Sequence, residues 1–494
     1  MGHSRSQSSH NSGRFVRLAW AMRLAVGLVF ASVTALPAIP ARSASHPPLR
    51  VTMSPTLYPA FDPDISDYVF RFQDGATEQV LVEAPPDAKV SVDGQAYQKH
   101  KFTSTVKITP GQSFDVNVHY PPRLVKTYHI RCLPADFPTW TTERLGNPQS
   151  EYYVFAPALN ITGPPWLHPW LHYMVIADNY GVPLWWYQAS DIPTDVKLLP
   201  NGNIGWTNLR HGAEERKLDG SPGALWSVAN NTKGEIDQHE MLLLPNGNHL
   251  FIASVAKERV DLRPLGGPES STIFDNVVEE VAPNGELIAY WSAYDHLPLS
   301  ESDSHWLAHW DPYHMNSIEP TATGWIVSLR HCNAVYCIDK ATGSIEWKLG
   351  GSKGPKSLTF CKDLLGNFGG QHDARVLPDG TLTVHDNGSL LDRAPRAVRY
   401  RLDTTAGTAT LVEQVSDVDV PSSLLTGSAR KLRTGNWVIH WGGSPYLTEL
   451  APNGARIFRL TFSNSYFSYR GLPIPFGRVD RAVFRGGMDA QFPR

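Results

Sequence analysis

The chain has no charge excess to offer a polyanion. Its 494 residues carry 44 Lys and Arg against 47 Asp and Glu, a formal net charge of -3, with both signs mixed along the sequence. No field draws it to nucleic acid or to an anionic membrane surface, and nucleic-acid binding is not expected. Cysteine is scarce: the four are Cys132, Cys332, Cys337 and Cys361, and none shows the CxxC spacing of a zinc ribbon. They allow at most two disulfides in an oxidising compartment, with the pairing unreadable from sequence. Cys332 and Cys337 lie five apart in a strand-like run and point to opposite faces, so a bridge between them is not expected. Two further absences matter. No segment after residue 45 could cross a bilayer, and helical patterns of ten or more residues are missing from Cys132 onward.

What is present is turn and aromatic chemistry: 39 Gly, 39 Pro, 15 Trp and 18 Tyr, with 41% apolar residues. This composition belongs to a folded protein of many short strands in which aromatic side chains supply much of the buried area. The first 45 residues read as an export signal. Arg14, Arg17 and Arg23 precede the apolar stretch Leu24 to Phe30, and Ala41 and Ser43 offer a cleavage site. The expected location is secreted or periplasmic, with no membrane span after removal of the signal. The alternative of a retained anchor is weakened by Pro37 and Pro40, which interrupt the apolar run.

The expected fold is all-β. Residues 46–134 alternate apolar and polar positions in short runs ("YVFRF", "VLVEA", "KVSV", "FDVNVHY") between Pro, Gly and Asp turns, the pattern of a small β-sandwich. The stretch "LYPAFDPDISDYVFRF" resembles the cadherin-like sandwich modules found ahead of exported enzymes. From 135 to 494 a repeat takes over. Half of the unit is an apolar run closed by a turn: "KLLPNGNIGW", "MLLLPNGNHLFI", "IEPTATGWIV", "RVLPDGTLTV" and "KLRTGNWVIHW". The other half is a second turn leading to an aromatic strand, as in "DNYGVPLWWY" and "VAPNGELIAYW". Each half is a hairpin, and two hairpins make a four-stranded propeller blade. Five units are clear. A degenerate one at about 150–187, completed by C-terminal strands, brings the expected count to six, with five or seven as alternatives.

Position within this repeat singles out three of the 19 histidines. Six residues before the turn proline stand His239 (Pro245), His314 (Pro320) and His372 (Pro378), while Thr194 and Gly427 hold the matching places elsewhere. If the first strand of each inner hairpin lines the axis, these positions form a ring at one mouth of the channel. Asn316, two residues after His314, is expected to face the same way. Arg330, on the returning strand of that hairpin, could clamp an oxyanion. Arg210 and His211, in a similar "NLRH", are a second anion contact or an echo of the repeat. Imidazoles can ligate a metal, exchange protons or attack an electrophile. An Arg and an Asn beside them suit sulfate or phosphate better than a cation, so no metal and no cofactor are expected.

The segments "QHEMLLLPNGN", "DPYHMNSIEP", "SLRHCNAVYCIDKATGSIEWKLGG", "GQHDARVLPDGTLTVHDNG" and "GSARKLRTGNWVIHWGGSPYLTELAPNGARIFRLTF" resemble the aryl sulfotransferase (ASST) family in its secreted β-propeller branch, over about 136–480. The resemblance implies a PAPS-independent enzyme that moves a sulfuryl group from an aryl sulfate ester to a phenolic acceptor, by a ping-pong route through a sulfohistidine. By motif His372 falls on the nucleophile, and His239, His314 and Arg330 on residues that hold and protonate the sulfuryl group. Asn316 falls on the Asn of an HxN pair, and Thr426 or Ser428 on a hydroxyl contact. The family's short-spaced disulfide near the active site has no counterpart at Cys361. Two other readings stay open: a non-catalytic propeller that binds a glycan, peptide or wall component, suggested by the aromatic "WLHPWLHYMV", and a histidine-ligated metal oxidoreductase. The natural substrates and the oligomeric state are not legible.

Overall fold

The computed structural model describes residues 48–73, 77–122, 124–160, 171–210, 212–304, 309–389 and 391–494. The expected export signal and His211 lie outside the described residues, as does much of the "WLHPWLHYMV" stretch. Strand dominates throughout, and the fold is all-β.

The N-terminal part holds two sheets. Arg50–Ser54, Thr77–Glu83 and Lys101–Lys107 form one, and Asp67–Arg71, Leu124–Leu133, Ser113–Tyr120 and Lys89–Val92 the other. Alternation does the work here: every second residue of Thr77–Glu83 and of Ser113–Tyr120 is buried. Val80, Val82, Val106, Phe114, Val116, Val118 and Ile130 meet in a single core that both sheets share.

The remainder is a ring of mainly antiparallel sheets with a propeller-like layout. Each sheet begins at an inner strand and runs outward. The inner strands are Pro193–Leu198, Glu235–Leu243, Met315–Pro320, His372–Val376, Ser428–Lys431 and Gly471–Pro475. Each touches the next, and Gly471–Pro475 pairs antiparallel with Ser150–Phe155, which in turn packs against Pro193–Leu198. The C-terminal strand Gly471–Pro475 and the much earlier Ser150–Phe155 thus share one sheet, which joins the two ends of the ring. The "PNGN"-type segments are the inner hairpin turns. Gly202 and Gly247 sit there at φ 87° and 85°, a conformation that glycine adopts without steric cost.

Two features depart from the sequence expectation. The sheets starting at Met315 and His372 fuse into a nine-stranded sheet, because Ser357–Cys361 pairs in parallel with both Ile345–Gly350 and Thr408–Val415. The chain also ends in an 11-residue helix, Arg481–Gln491, where no helix was expected. Its Gly486 and Gly487 and its only two buried side chains, Phe484 and Met488, leave a weak periodic signal. Asp480 caps it by accepting from the Ala482 N–H. Contacts made elsewhere hold it: Arg481 and Arg485 both bind Asp67, Arg481 also binds Asp178, and Asp489 binds Arg131. All four cysteines are free thiols. Cys332 lies in a 3-10 turn rather than in a strand, while Cys337 is in Ala334–Asp339.

Candidate active site

At one end of the inner strands lies a cavity of about 400 Å³ lined by His239, His314, His372, Arg330, Thr426 and Tyr469, among others. Five of the six sequence-selected residues therefore meet in one place. Local backbone explains how the side chains reach it. The pairing of each of the first four inner strands is irregular near its site residue, between Thr194 and Lys197, Ile236 and Met241, Met315 and Ser317, and His372 and Arg375. The chain turns to positive φ at Asp195 (43°), His314 (51°), Asp373 (56°) and Thr426 (59°). Such bulges re-aim side chains, and strained backbone of this kind clusters at functional sites.

Asn316 does not join the others. The irregularity beside His314 breaks the two-residue alternation, and the Asn316 amide turns into the protein to donate to the Gln371 carbonyl at 2.7 Å. It supports the backbone next to His372 instead of addressing a ligand. Arg330 is not on the returning strand but opens the 3-10 turn that follows it, its own N–H bonded to the His314 carbonyl at 3.0 Å. Its Nη2 donates to the Leu424 carbonyl at 3.0 Å, while its Nε is buried with no partner. Thr426 Oγ1 and Tyr469 OH are likewise buried and unpaired. Three orphaned donors around one cavity are what an oxygen-rich ligand would satisfy. Ser428, by contrast, is spent on the Gly471 backbone.

The protonation of His372 follows from its partners. Its Nδ1 faces the Gly370 carbonyl at 2.9 Å and Asn387 Oδ1 at 2.8 Å, both acceptors. The Asn387 amide is oriented independently, since its Nδ2 donates to the Thr426 carbonyl and to Ser423 Oγ, each at 2.8 Å. Nδ1 therefore carries the hydrogen and Nε2 presents a lone pair to the cavity. Burial, reinforced by the nearby Arg330 charge, holds this imidazole well below its ordinary pKa and so neutral.

The other two rings are built differently. Asp237 accepts from His239 Nδ1 and from the His239 backbone N–H, and Asp311 clamps His314 in the same way, at 2.6 and 3.0 Å. The two Nε2 atoms then lie 3.1 Å apart. Asp237, Asp311, Asn387 and Tyr469 were not picked out by register. The carboxylates two and three residues before each histidine, in "DQHE" and "DPYH", were the signal available for the first two.

Asp311, His314 and His331 place ligand atoms within 4.8 Å of one another, a spacing open to a metal ion. Their donors are already engaged: Asp311 takes the His314 ring N–H, and His331 Nδ1 donates to the Asp311 carbonyl at 2.7 Å. The adjacent Arg330 guanidinium opposes a cation there.

Behind the cavity, the residues that follow Thr194, His239 and His372 turn the opposite way. Asp195, Glu240 and Asp373 enter a buried ion cluster with Arg470, Lys197, Arg375 and Arg430. Arg470 also donates to the Asn316 carbonyl at 2.7 Å. The cluster ties the inner strands together directly beneath the site, which fixes the relative positions of the rings.

Among solved structures, a protein of unknown function from Bacteroides caccae is 16% identical, covering 66% of this chain and 99% of its own, with a TM-score of 0.42. Virginiamycin B lyase from Staphylococcus aureus is 12% identical over 70% of this chain and 90% of its own, with a TM-score of 0.34. Likenesses at this level carry no argument about chemistry. No curated protein sequence matches the chain. The sequence profile of the arylsulfotransferase (ASST) family matches residues 216–463, half of the chain and the part that supplies all three cavity histidines and Arg330. The chain belongs to the arylsulfotransferase (ASST) family.

Proposed function

We propose that this protein is a PAPS-independent aryl sulfotransferase in which His372 attacks the sulfur of an aryl sulfate ester and carries the sulfuryl group as a sulfohistidine to a phenolic acceptor. The observation that carries the reading is the His372 tautomer: a neutral ring with its Nδ1–H tied to two acceptors and its Nε2 lone pair free in the cavity. Arg330, with His239 and His314, neutralises the sulfuryl oxygens, and Thr426 supplies a hydroxyl contact. The step balances. An N–S bond forms as the S–O(aryl) bond breaks, the electron pair leaves on the phenolate oxygen, and a proton from the cavity completes the phenol. In the second half an acceptor phenol reverses these events, which gives ping-pong order.

The reading extends to the whole chain. Residues 135–494 form a six-bladed propeller, residues 46–134 a separate cadherin-like sandwich, and residues 1–45 a signal that sends the enzyme to a secreted or periplasmic location. The test is transfer from 4-nitrophenyl sulfate to phenol by the purified protein. Release of nitrophenol that depends on acceptor and vanishes in His372→Ala is the expected result. Equal activity in wild type and His372→Ala, or none in either, would overturn the proposal.

A further inference from the structure

The three cavity histidines differ in what holds their Nδ1 atoms. His372 has neutral partners, whereas His239 and His314 each have a carboxylate that also clamps the backbone N–H of the same residue. A carboxylate only accepts, so both of these rings carry hydrogen on Nδ1. Their Nε2 atoms face each other at 3.1 Å with ring planes at 78°. Two lone pairs at that distance repel, while one proton between them makes an N–H···N bond. The geometry is that of two rings sharing one proton between their Nε2 atoms, flanked by two carboxylates.

Resting on the sulfuryl-transfer reading, in which His239 and His314 protonate the departing phenolate, we propose that Asp237 and Asp311 are positioning residues that make these two rings a proton-sharing pair. As the S–O(aryl) bond breaks, the phenolate oxygen takes the shared proton from Nε2 and the pair becomes neutral. The acceptor phenol returns a proton to the pair when its oxygen attacks sulfur and the N–S bond breaks, so the cycle closes with no other donor. Neutral partners on His372 and anionic partners on the pair divide the labour: one site keeps its Nε2 bare, the other keeps a proton in place.

The surroundings are consistent with this assignment. Burial acts to raise the Asp311 carboxyl, and the facing His314 ring outweighs it and holds the group below the usual range. The remaining titratable or charged groups that face the pair are His331, with its ring 4.6 Å from His314, Tyr469, with its ring 5.7 Å from His239, and Arg330 and His372 across the cavity. Burial pushes His331 down to about 4 and the Tyr469 phenol well above its ordinary value, so neither supplies the proton near neutral pH.

The experiment measures kcat and KM of the full chain with aryl sulfates of graded leaving-group basicity, in wild type, Asp311→Asn, Asp237→Asn and Asp311→Glu. A general acid contributes on the order of 10²- to 10⁴-fold for a poor leaving group. The Asn variants are expected to lose activity on that scale with unactivated phenols and far less with nitrophenol, at similar KM. Asp311→Glu should regain part of the loss. A uniform loss across leaving groups, or none, overturns the proposal while leaving sulfuryl transfer intact, and a wild type inactive with every ester overturns both. A second readout does not depend on the variants folding: in ¹⁵N-histidine-labelled wild type, both Nδ1 atoms of the pair should be protonated, with one proton shared between the two Nε2 atoms. A bare Nδ1 on either ring above neutral pH refutes the assignment.

Discussion

Asn387 offers a demanding check on how His372 is held. Its Oδ1 accepts from the ring at 2.8 Å, and its Nδ2 donates to Ser423 Oγ and the Thr426 carbonyl. Asn387→Ala deletes three buried hydrogen bonds, each worth about 0.5–1.5 kcal/mol net, for an expected loss of roughly 2–4 kcal/mol in stability. At the ring the Gly370 carbonyl remains as an acceptor at 2.9 Å, so the tautomer is weakened and not reversed. Loss of one such bond from the reactive arrangement corresponds to roughly a 3- to 10-fold fall in kcat. Asn387→Asp keeps an acceptor for Nδ1–H but places a charge beside the imidazole. A nearby anion favours imidazolium, so the acid limb of the pH–rate profile moves to higher pH. Urea melts and steady-state transfer assays on the two variants read both quantities. A folded Asn387→Ala enzyme with kcat within about twofold of wild type, together with an unmoved acid limb in Asn387→Asp, would refute the Nδ1–H assignment.

Three other perturbations have defined outcomes. The fully buried His385 and His440 are pushed by burial to about 4 and about 3, so the unfolded chain takes up protons below about 6.5 that the native state refuses. Going from pH 7 to 5 these two cost about 4 kcal/mol. Asp178, raised by burial to about 6, returns about 1 kcal/mol because it binds its proton in the folded state first, and a urea titration showing equal stability at both pH values would contradict this. Arg470→Met takes one cation from Asp195 and Glu240, leaving Lys197 to face both and Arg375 to face Glu240, which should cost about 2–4 kcal/mol in a denaturant melt; a change below about 1 kcal/mol would count against the ion cluster as a structural element. Gly442→Ala puts a methyl 2.1 Å from the Leu425 carbonyl oxygen and 2.3 Å from the Thr426 carbonyl carbon, so the Thr426 segment must shift. A loss of about 1–3 kcal/mol with reduced transfer is expected, and an unaffected melting temperature with full activity would show that the segment yields freely.

Most of the inner hairpins could be read from sequence because their turns take positive φ at Gly202, Gly247, Gly380 and Gly435, the first three of which follow Asn or Asp. The fixed distance from that turn back to the cavity made the histidine register meaningful. Where the backbone leaves ideal geometry, reading by period failed. The irregularity at His314 turned Asn316 away from the cavity, and the parallel bridge through Ser357–Cys361 has no alternation to announce it. The C-terminal helix is held by ion pairs with residues more than 300 positions away, which no local pattern reports. Asp237 and Asp311 stood in plain view beside their histidines, yet their role appears only once bond partners are known. That role depends on which ring nitrogen faces which atom.

The central claim is that His372 accepts the sulfuryl group itself. Brief exposure of the intact protein to an aryl sulfate without acceptor, followed by peptide mass spectrometry under non-acidic conditions, tests it directly. One sulfuryl group is expected on the peptide bearing His372, discharged when phenol is added. Turnover of the ester with the label on another residue, or with no protein-bound sulfuryl group at any time, would contradict it.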